Sequence, residues 1–501
     1  MRFTNSLNKL QDEWYETRDP ASIDTKRRGF VRDPIHGHIE LDPFDFFVID
    51  LPPMQRLRGV SQLGFVNRIY PGANQTRFEH SLGVGTLAYR ILLSLREEQK
   101  RRGEAGIGLQ DIYSAKLAGY LHDIGHLPFS HALEPLFESL AKLDYSAIGM
   151  KRGGNKPHEI FGYSIITSDY FRDAIATLNK FCKTNIDPSF VASLAMGTSD
   201  IPANKTFLQE LIHGNFDCDR MDYLLRDAYY CGVPHGAVDL ERLIETFTIV
   251  SREKGLHIGV EESGLAAVEA MYFSRRTMYI SVYLHHASRI IEGMLLRSVH
   301  DCVAQNKISL EDLLLFNDAS LTEFMQDEGT TLARTTVSRL AYRQFLKRFF
   351  VKRLMDIDPL IYSAPGVPIS ASIISKVGPF VDKVNKFFSG IRNTLKFESE
   401  CCEESFPKSL RHGSLLIDCP KLKLPGDPDS EEYFPVRLRD NTIRSLLDLS
   451  PVVRSIAQDK NASMTTIILA GLKPEKYASR ARSYFIERFK ADFGLELGDT
   501  L

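Results

Sequence analysis

Residues 120–131 read "YLHDIGHLPFSH", which places three histidines and an aspartate in twelve positions. Histidine is scarce in this chain, 14 in 501 residues, so the concentration asks for a chemical reason. A helical reading puts His122 and His126, four residues apart, on one face with Asp123 beside them. Imidazole with carboxylate suits borderline-hard divalent ions, and Mn, Fe, Mg and Zn all qualify. A His-Asp pair alone decides little. A second one, His300-Asp301 in "RSVHDCVA", has no histidine-rich surroundings.

Working outward, "TRFEHSLGVG" (76–85) sets His80 at the start of an earlier predicted helix. "GNFDCDRMDYLLRD" (214–227) offers Asp217, Asp219, Asp222 and Asp227 on a later one. Apolar residues recur every three and four positions through most segments from residue 54 to about 300, as in "SLGVGTLAYRILLSLREEQKRR". "GFVRDPIHGHIELDPFDFFVIDLP" (29–52) breaks into short runs with Pro and Gly, which predicts a hairpin and then a helix. "HIGVEESG" is expected as a short strand or turn. Beyond residues 330–355 the pattern changes, with strand-like "SLLIDC" and "YFPVRLR" around the polar "PGDPDSEE". An amphipathic helix, "KPEKYASRARSYFIERFKADFG", follows. The expected fold class is mainly α: a helical core with a smaller C-terminal α+β lobe. The expected division is an arm over 1–28, the main domain over 29–350 and the lobe over 351–501.

Composition bounds the partners. Hydrophobic residues at 43%, charged residues at 25% and a net charge of -2 describe a soluble globular protein with no global bias toward nucleic acid or membrane. Seven cysteines, with no CxxC, point to a reducing compartment rather than a disulfide scaffold or a cysteine zinc site. The polar start "MRFTNSLNKLQDEWYETRDP" does not read as a signal peptide, and no apolar run reaches the ~18 residues of a membrane span. A soluble, cytoplasmic protein is expected.

The order H…HD…D, spread over three helices, resembles the HD phosphohydrolase superfamily at His80, His122, Asp123 and Asp219. Among the four aspartates the resemblance selects Asp219, which stands four residues before Tyr223. "DPIHGHIEL", "QRLRGVSQLG", "YPGANQTRFEHSLGVG", "HDIGHLPFSH" and "DRMDYLLRDAYYCG" follow the order found in HD-domain dNTP triphosphohydrolases. The resemblance covers about residues 29–300 and includes no SAM domain. It implies a helical HD-domain core and hydrolysis of a dNTP to deoxynucleoside and inorganic triphosphate. A divalent metal would sit on the four ligands, with His131 as general acid at the α-phosphate and His126 suited to proton transfer. His158 and Glu159 would orient His126. Glu134 stands where the family carries an Asp.

For the substrate, the resemblance implies that Arg77, Arg220 and Arg275 contact phosphate or base, Arg220 replacing a Lys. Gln62 and Asp227 would read the 3′ hydroxyl, Tyr223 and Tyr283 would close off the 2′ position, and Leu63 would pack under sugar or base. It further implies a homo-oligomer, a tetramer in the favoured case, switched on by GTP or a dNTP. The matching effector positions are Asp50, Gln55, Arg58, Arg242 and Arg343. Gly29, with Arg28 beside it, stands where the family has a Lys. Either dNTP-pool control or antiviral defence by nucleotide depletion would follow.

Two other readings compete. One is an HD hydrolase of (p)ppGpp, a cyclic nucleotide or nucleic acid. The other is a nucleotide-sensing scaffold with a vestigial site, for which the basic "TKRRG" and "RQFLKRFFVKR" would be the contacts. His285 and His286, adjacent on a helix, should point about 100° apart and not share an ion. His36 and His38, flanking a turn glycine, are expected to be structural.

Overall fold

The computed structural model describes residues 4–140, 156–198, 200–252, 255–353, 383–388, 390–410, 412–420, 434–458, 466–472, 474–494 and 497. The "PGDPDSEE" stretch lies outside the described residues. The fold is mainly helical, with three small sheets among the described residues.

A first helix, α1 (Thr4–Thr17), precedes a hairpin of β1 (Gly29–Asp33) and β2 (Gly37–Leu41), paired antiparallel from Gly29↔Leu41 to Asp33↔Gly37. The long helix α2 (Arg77–Arg101) starts at a capping box in which the Thr76 N–H donates to Glu79 at 2.9 Å. Helix α3 (Leu109–Leu121) is buried on nearly every side over its last two turns. Gly85 and Gly119 let α2 and α3 touch at the backbone: a Cβ on Gly119 would lie 2.8 Å from the Gly85 Cα. That close approach sets His80 and His122 side by side.

Helix α3 ends four residues sooner than the spacing of His122 and His126 predicts. His122 is its C-cap, and the chain turns through Asp123 and Ile124 toward Pro128. The cause is the packing of Gly125 on α4 (Pro157–Ile166), where a Cβ would meet the His158 carbonyl at 2.1 Å and the Gly162 nitrogen at 2.3 Å. Gly125→Ala should therefore cost roughly 1–3 kcal/mol of stability through overpacking. A lowered thermal midpoint would register it, and an unchanged one would refute this reading of the turn.

Helix α5 (Cys218–Cys231) lies against α2 and carries the later aspartates. Strands β3 (Phe247–Arg252) and β4 (Gly255–Glu261) form a hairpin, so "HIGVEESG" begins as a strand. Helices α6 (Leu265–Met278) and α7 (His286–Ala304) complete the main core. His285 stands outside α7 as its N-cap, its Nδ1 accepting from the Ala287 N–H at 3.3 Å. Its ring therefore stacks on His286, centroids 4.6 Å apart and planes at 26°, in place of the divergence expected on a continuous helix.

Strand β5 (Lys347–Arg353) spans the expected lobe boundary at 350/351 and joins a three-stranded sheet with β6 (Leu415–Asp418) and β9 (Thr466–Gly471), in the order β5-β9-β6. Between them in sequence, β7 (Pro435–Arg437) and β8 (Ile443–Ser445) extend the β3-β4 sheet, β7 running parallel to β4. The alternation of side chains along β6 and β9 makes their sheet a wall between two cores. Leu416, Ile468 and Ala470 face the main core; Leu415, Ile417, Ile467 and Leu469 face a second one with Phe397, Phe485 and Phe489. The last two elements of that second core are α8 (Ile391–Ser405) and α9 (Pro474–Phe493). Arg297 of α7 donates to Glu398 of α8 at 2.8 Å and to the Ile417 carbonyl at 2.9 Å, tying the two cores together.

Candidate metal centre

Three elements deliver the four candidate ligands: His80 from the first turns of α2, His122 and Asp123 from the end of α3, and Asp219 from the first turn of α5. His80 Nε2 lies 3.0 Å from Asp219 Oδ1, 3.2 Å from His122 Nε2 and 3.6 Å from Asp123 Oδ2. His122 Nε2 lies 3.4 Å from Asp123 Oδ1 and 3.7 Å from Asp219 Oδ1.

The other ring nitrogens fix what these atoms offer. His80 Nδ1 faces Asp222 Oδ2 at 2.7 Å, and His122 Nδ1 faces the Gly119 carbonyl at 2.8 Å. Both partners accept only, so each Nδ1 carries hydrogen and, in the neutral rings, each Nε2 presents a lone pair. Each of these two lone pairs lies within 4 Å of the other and of both carboxylates, an arrangement that is repulsive unless a proton or a cation lies among them. Ligands bound at about 2.1 Å around one ion sit about 3.0–3.5 Å apart, close to the spacing seen here. The residues present fit a divalent ion.

Electrostatics say the same. Burial alone would lower the His80 pKa, yet the hydrogen bonds to Asp219 and Asp222 raise it to about 10. Burial would raise Asp219 and Asp123, but the histidines hold Asp219, and Arg77 with the histidines holds Asp123, well below the ordinary carboxylate range.

Asp222 was hidden among four similar aspartates in the sequence. Its carboxylate takes His80 on one oxygen and His36 Nε2 on the other at 2.6 Å, while Arg226 donates to both at 2.8 and 2.9 Å. Arg226 is fully buried and reaches Asp33 at 2.8 Å as well. His36 is therefore structural in a specific sense: it helps hold the carboxylate that holds a candidate ligand. Gly83 makes room, since a Cβ there would lie 2.0 Å from Asp222 Oδ1. Asp222→Asn should weaken metal binding by about 10–100-fold, because an amide cannot accept from His80, His36 and Arg226 together. Metal titration of the variant would measure this, and unchanged affinity would refute the role. Asp217, by contrast, serves as the N-cap of α5, accepting from the Arg220 N–H at 2.8 Å and pairing with the Arg220 guanidinium at 2.6 Å.

Beside the ligands lies a second cluster. His126 Nε2 is 3.2 Å from Asp123 Oδ1, and its ring stacks on His158, centroids 3.9 Å apart. Glu134 accepts from His158 Nδ1 and faces His131 Nδ1 at 3.1 Å, so one carboxylate orients two imidazoles. Glu159 instead closes the start of α4, accepting from the Lys156 N–H at 2.8 Å, and lies 4.0 Å from His158 Nε2. Burial, with Arg77 and His158 nearby, pushes His126 well below its usual pKa, so it is neutral near pH 7. The surrounding protein also lowers His131, with Glu134 opposing, although 55% of that side chain is exposed. Phe129 and Ser130, immediately before it, both adopt left-handed backbone angles, φ 57° and 59°. Asp318 over-determines that turn, accepting from the Phe129 N–H at 2.6 Å and the Ser61 N–H at 3.0 Å.

Several of the expected substrate residues contact one another or the candidate ligands. Arg77 is buried, donating to Asp123 and, at 2.8 Å, to Ser130 Oγ. Tyr223 and Tyr283 approach edge to face, centroids 6.2 Å apart. The Tyr283 hydroxyl donates to Asp227 Oδ2 at 2.8 Å, and burial pushes Asp227 up to about 6. Arg275 reaches the Tyr279 ring at 5.9 Å, and Tyr279 in turn lies 5.1 Å from Tyr283. Gln62 is buried, while Leu63 is half-buried.

The expected effector residues divide. Asp50 pairs with Arg27 and Arg18, Gln55 donates to the Ile49 carbonyl at 2.6 Å, and Arg58 donates to Gln55 at 2.9 Å over the Phe78 ring. Those residues form one neighbourhood. Arg242 instead bonds the Ser263 carbonyl at 3.2 Å, and Arg343 bonds the Arg68 carbonyl.

The HD domain family matches residues 77–224, a span that holds all four candidate ligands, and the HD associated region matches residues 238–366. The MG461 homolog of Mycoplasma pneumoniae is 31% identical over 393 residues, 76% of this chain and 81% of its own length. The chain belongs to the HD-domain family. It is also similar to the deoxynucleoside triphosphate triphosphohydrolase SAMHD1 of Homo sapiens, 30% identical over 288 residues, 54% of this chain and 44% of that protein. A Methanocaldococcus jannaschii protein, MJ1154, is 30% identical over 330 residues, 66% of this chain and 61% of its own. The chain thus spans less than two thirds of these last two relatives. Within the HD domain the chain carries a His/Asp cluster that can hold a divalent metal. Among the described residues no helix is long and apolar enough to cross a membrane.

Proposed function

We propose that this HD-domain protein is a metal-dependent deoxynucleoside triphosphate triphosphohydrolase, releasing deoxynucleoside and inorganic triphosphate. The observation that carries the reading is helix α5, which bears the ligand Asp219 at its start and, two turns on, Asp227 held by Tyr283. One helix thus joins a phosphate-cleaving centre to a buried hydroxyl-reading group, with the Tyr223 ring between them in sequence. The likeness to SAMHD1 over half of this chain supports the same substrate class.

A divalent ion on His80, His122, Asp123 and Asp219, one of Mn, Fe, Mg or Zn, would supply Lewis acidity at the α-phosphate. The chain's own residues do the rest. Arg77, Arg220 and Arg275 offset a triphosphate charge of about -4 near neutral pH. His131 holds its Nδ1 against Glu134, leaving Nε2 to deliver a proton to the departing 5′ oxygen. Neutral His126, braced by His158, can accept a proton from the attacking water. Tyr223 and Tyr283 narrow the sugar position so that a 2′ hydroxyl is excluded. Activation by GTP or a dNTP through Asp50, Gln55, Arg58, Arg242 and Arg343, and assembly into a homotetramer, belong to this proposal. So do dNTP-pool control or antiviral defence as its cellular use.

The test incubates purified protein and Mn²⁺ or Mg²⁺ with each dNTP, singly and mixed, with and without GTP, and resolves products by ion exchange. Deoxynucleoside plus intact triphosphate supports the reading. Absence of product under every combination, with metal bound, would refute it and turn attention to other nucleotides.

A further inference from the structure

Gln62 and Gln75 face one another across a short antiparallel bridge. Ser61 pairs with Thr76, and the Gln62 N–H donates to the Gln75 carbonyl at 3.0 Å. Directly opposed residues in such a pair send their side chains to the same face. Gln62 is 8% exposed and Gln75 1%, and in each the Oε1 is buried with no hydrogen-bond donor. The orientation of the Gln75 amide is set by chemistry: its Nε2 donates to Asp227 Oδ1 at 2.9 Å, and the flipped amide would press oxygen against oxygen.

Asp227 is therefore gripped at both oxygens, by Gln75 on one side and the Tyr283 hydroxyl on the other. Beside it stands the Gln75 carboxamide oxygen with nothing to accept from, and across the bridge the Gln62 carboxamide oxygen is in the same condition. Buried acceptors are rarely left unmet in a folded protein, so this group marks the place of a donor that arrives with a ligand or as water. The chemistry selects a hydroxyl-bearing ligand: every unsatisfied atom accepts, and none carries a charge that would favour a cation over a neutral hydroxyl.

We propose that Gln75 is a specificity-determining residue of the substrate site, holding Asp227 through Nε2 and presenting Oε1 beside that of Gln62 to a sugar hydroxyl. This rests on the triphosphohydrolase reading and deepens it at the sugar, where the hydroxyl is the 3′ one. One hydroxyl satisfies one acceptor, and an ordered water meets the other.

The test is a competition between a dNTP and its 2′,3′-dideoxy analogue, run with the unaltered protein, Gln75→Leu and Gln75→Glu. Leucine removes both functions at similar size. Glutamate keeps an acceptor but sets a carboxylate against Asp227. The unaltered protein should prefer the 3′-hydroxyl substrate, and both variants should lose that preference by about tenfold or more, mainly through KM for the natural substrate. The ratio of the two kcat/KM values does not depend on how much protein is folded, so a merely structural defect leaves it unchanged. Turnover with an unchanged ratio in both variants would overturn the role of Gln75 alone. No turnover of either substrate by the unaltered protein would overturn the triphosphohydrolase reading, and this proposal with it.

Discussion

Replacing His122 or Asp219 by alanine is expected to strip the bound metal and to lower turnover by roughly a thousandfold or more, the loss of several kcal/mol of transition-state stabilisation. The size follows from how the ligands are held. His122 cannot be replaced by a neighbouring ring, because His126 is drawn away to Asp123 and His158. Asp219 has no stand-in on α5, since Asp217 caps the helix and Asp222 is committed to Arg226, His36 and His80. Metal analysis of the purified variants, alongside turnover, checks both halves; a variant that keeps its metal and its rate contradicts the assignment.

The same centre predicts a pH dependence. In the metal-free protein the His80 pKa is raised to about 10 from 6.5. The charged ring then stabilises the fold fully below about 6.5, and that contribution is lost as pH climbs through 10. A metal ion takes the place of that proton, so its apparent affinity should rise with pH over the same interval. Metal titrations at several pH values would show the slope, and affinity independent of pH would contradict it.

His131→Ala should leave metal content unchanged and lower kcat by about 10²–10⁴-fold, the usual contribution of a positioned proton donor. The side chain is more than half exposed and touches none of the ligands, so its loss removes little packing. What it removes is an imidazole aimed by Glu134, which accepts at Nδ1 and favours the charged ring. Glu134→Gln should share part of the defect and leave the ring in place. Single-turnover rates would separate the chemical step from binding. Normal single-turnover chemistry in His131→Ala would move the proton donor elsewhere.

What the sequence reveals about this site follows a physical division. Ligand histidines are legible because histidine is scarce and because HD…H spacing has few uses in a packed core. The mainly helical fold is legible too, since apolar periodicity survives in "SLGVGTLAYRILLSLREEQKRR" and its neighbours. The end of α3 was less so: the helical spacing of His122 and His126 looks continuous, and only the contact of Gly125 with α4 shows why the chain must turn. Asp222 was invisible for a different reason. Four aspartates between 217 and 227 share one chemistry, and the packing of α2 on α5 alone decides which one faces His80. The spacing of Asp219 and Asp222, three residues apart and so on one helical face, was the available hint.

Glu134 and Gln75 carried weaker signals still. Glu134 stands out in the sequence only as a departure from the family Asp, and its reach to both His131 and His158 depends on where α4 sits. Gln75 lies in a loop with no periodicity, and its value comes from Asp227, 152 residues away in sequence. The adjacent histidines 285 and 286 mislead in the opposite direction. They read as helical neighbours, whereas the first is a cap and the rings stack.

The most direct test of the central claim is to run the reaction in H₂¹⁸O and weigh both products. Attack of water at the α-phosphorus puts the label in the released triphosphate and none in the deoxynucleoside, which is the result this account predicts. Label appearing in inorganic phosphate or pyrophosphate, with a nucleoside di- or monophosphate as the other product, would contradict it.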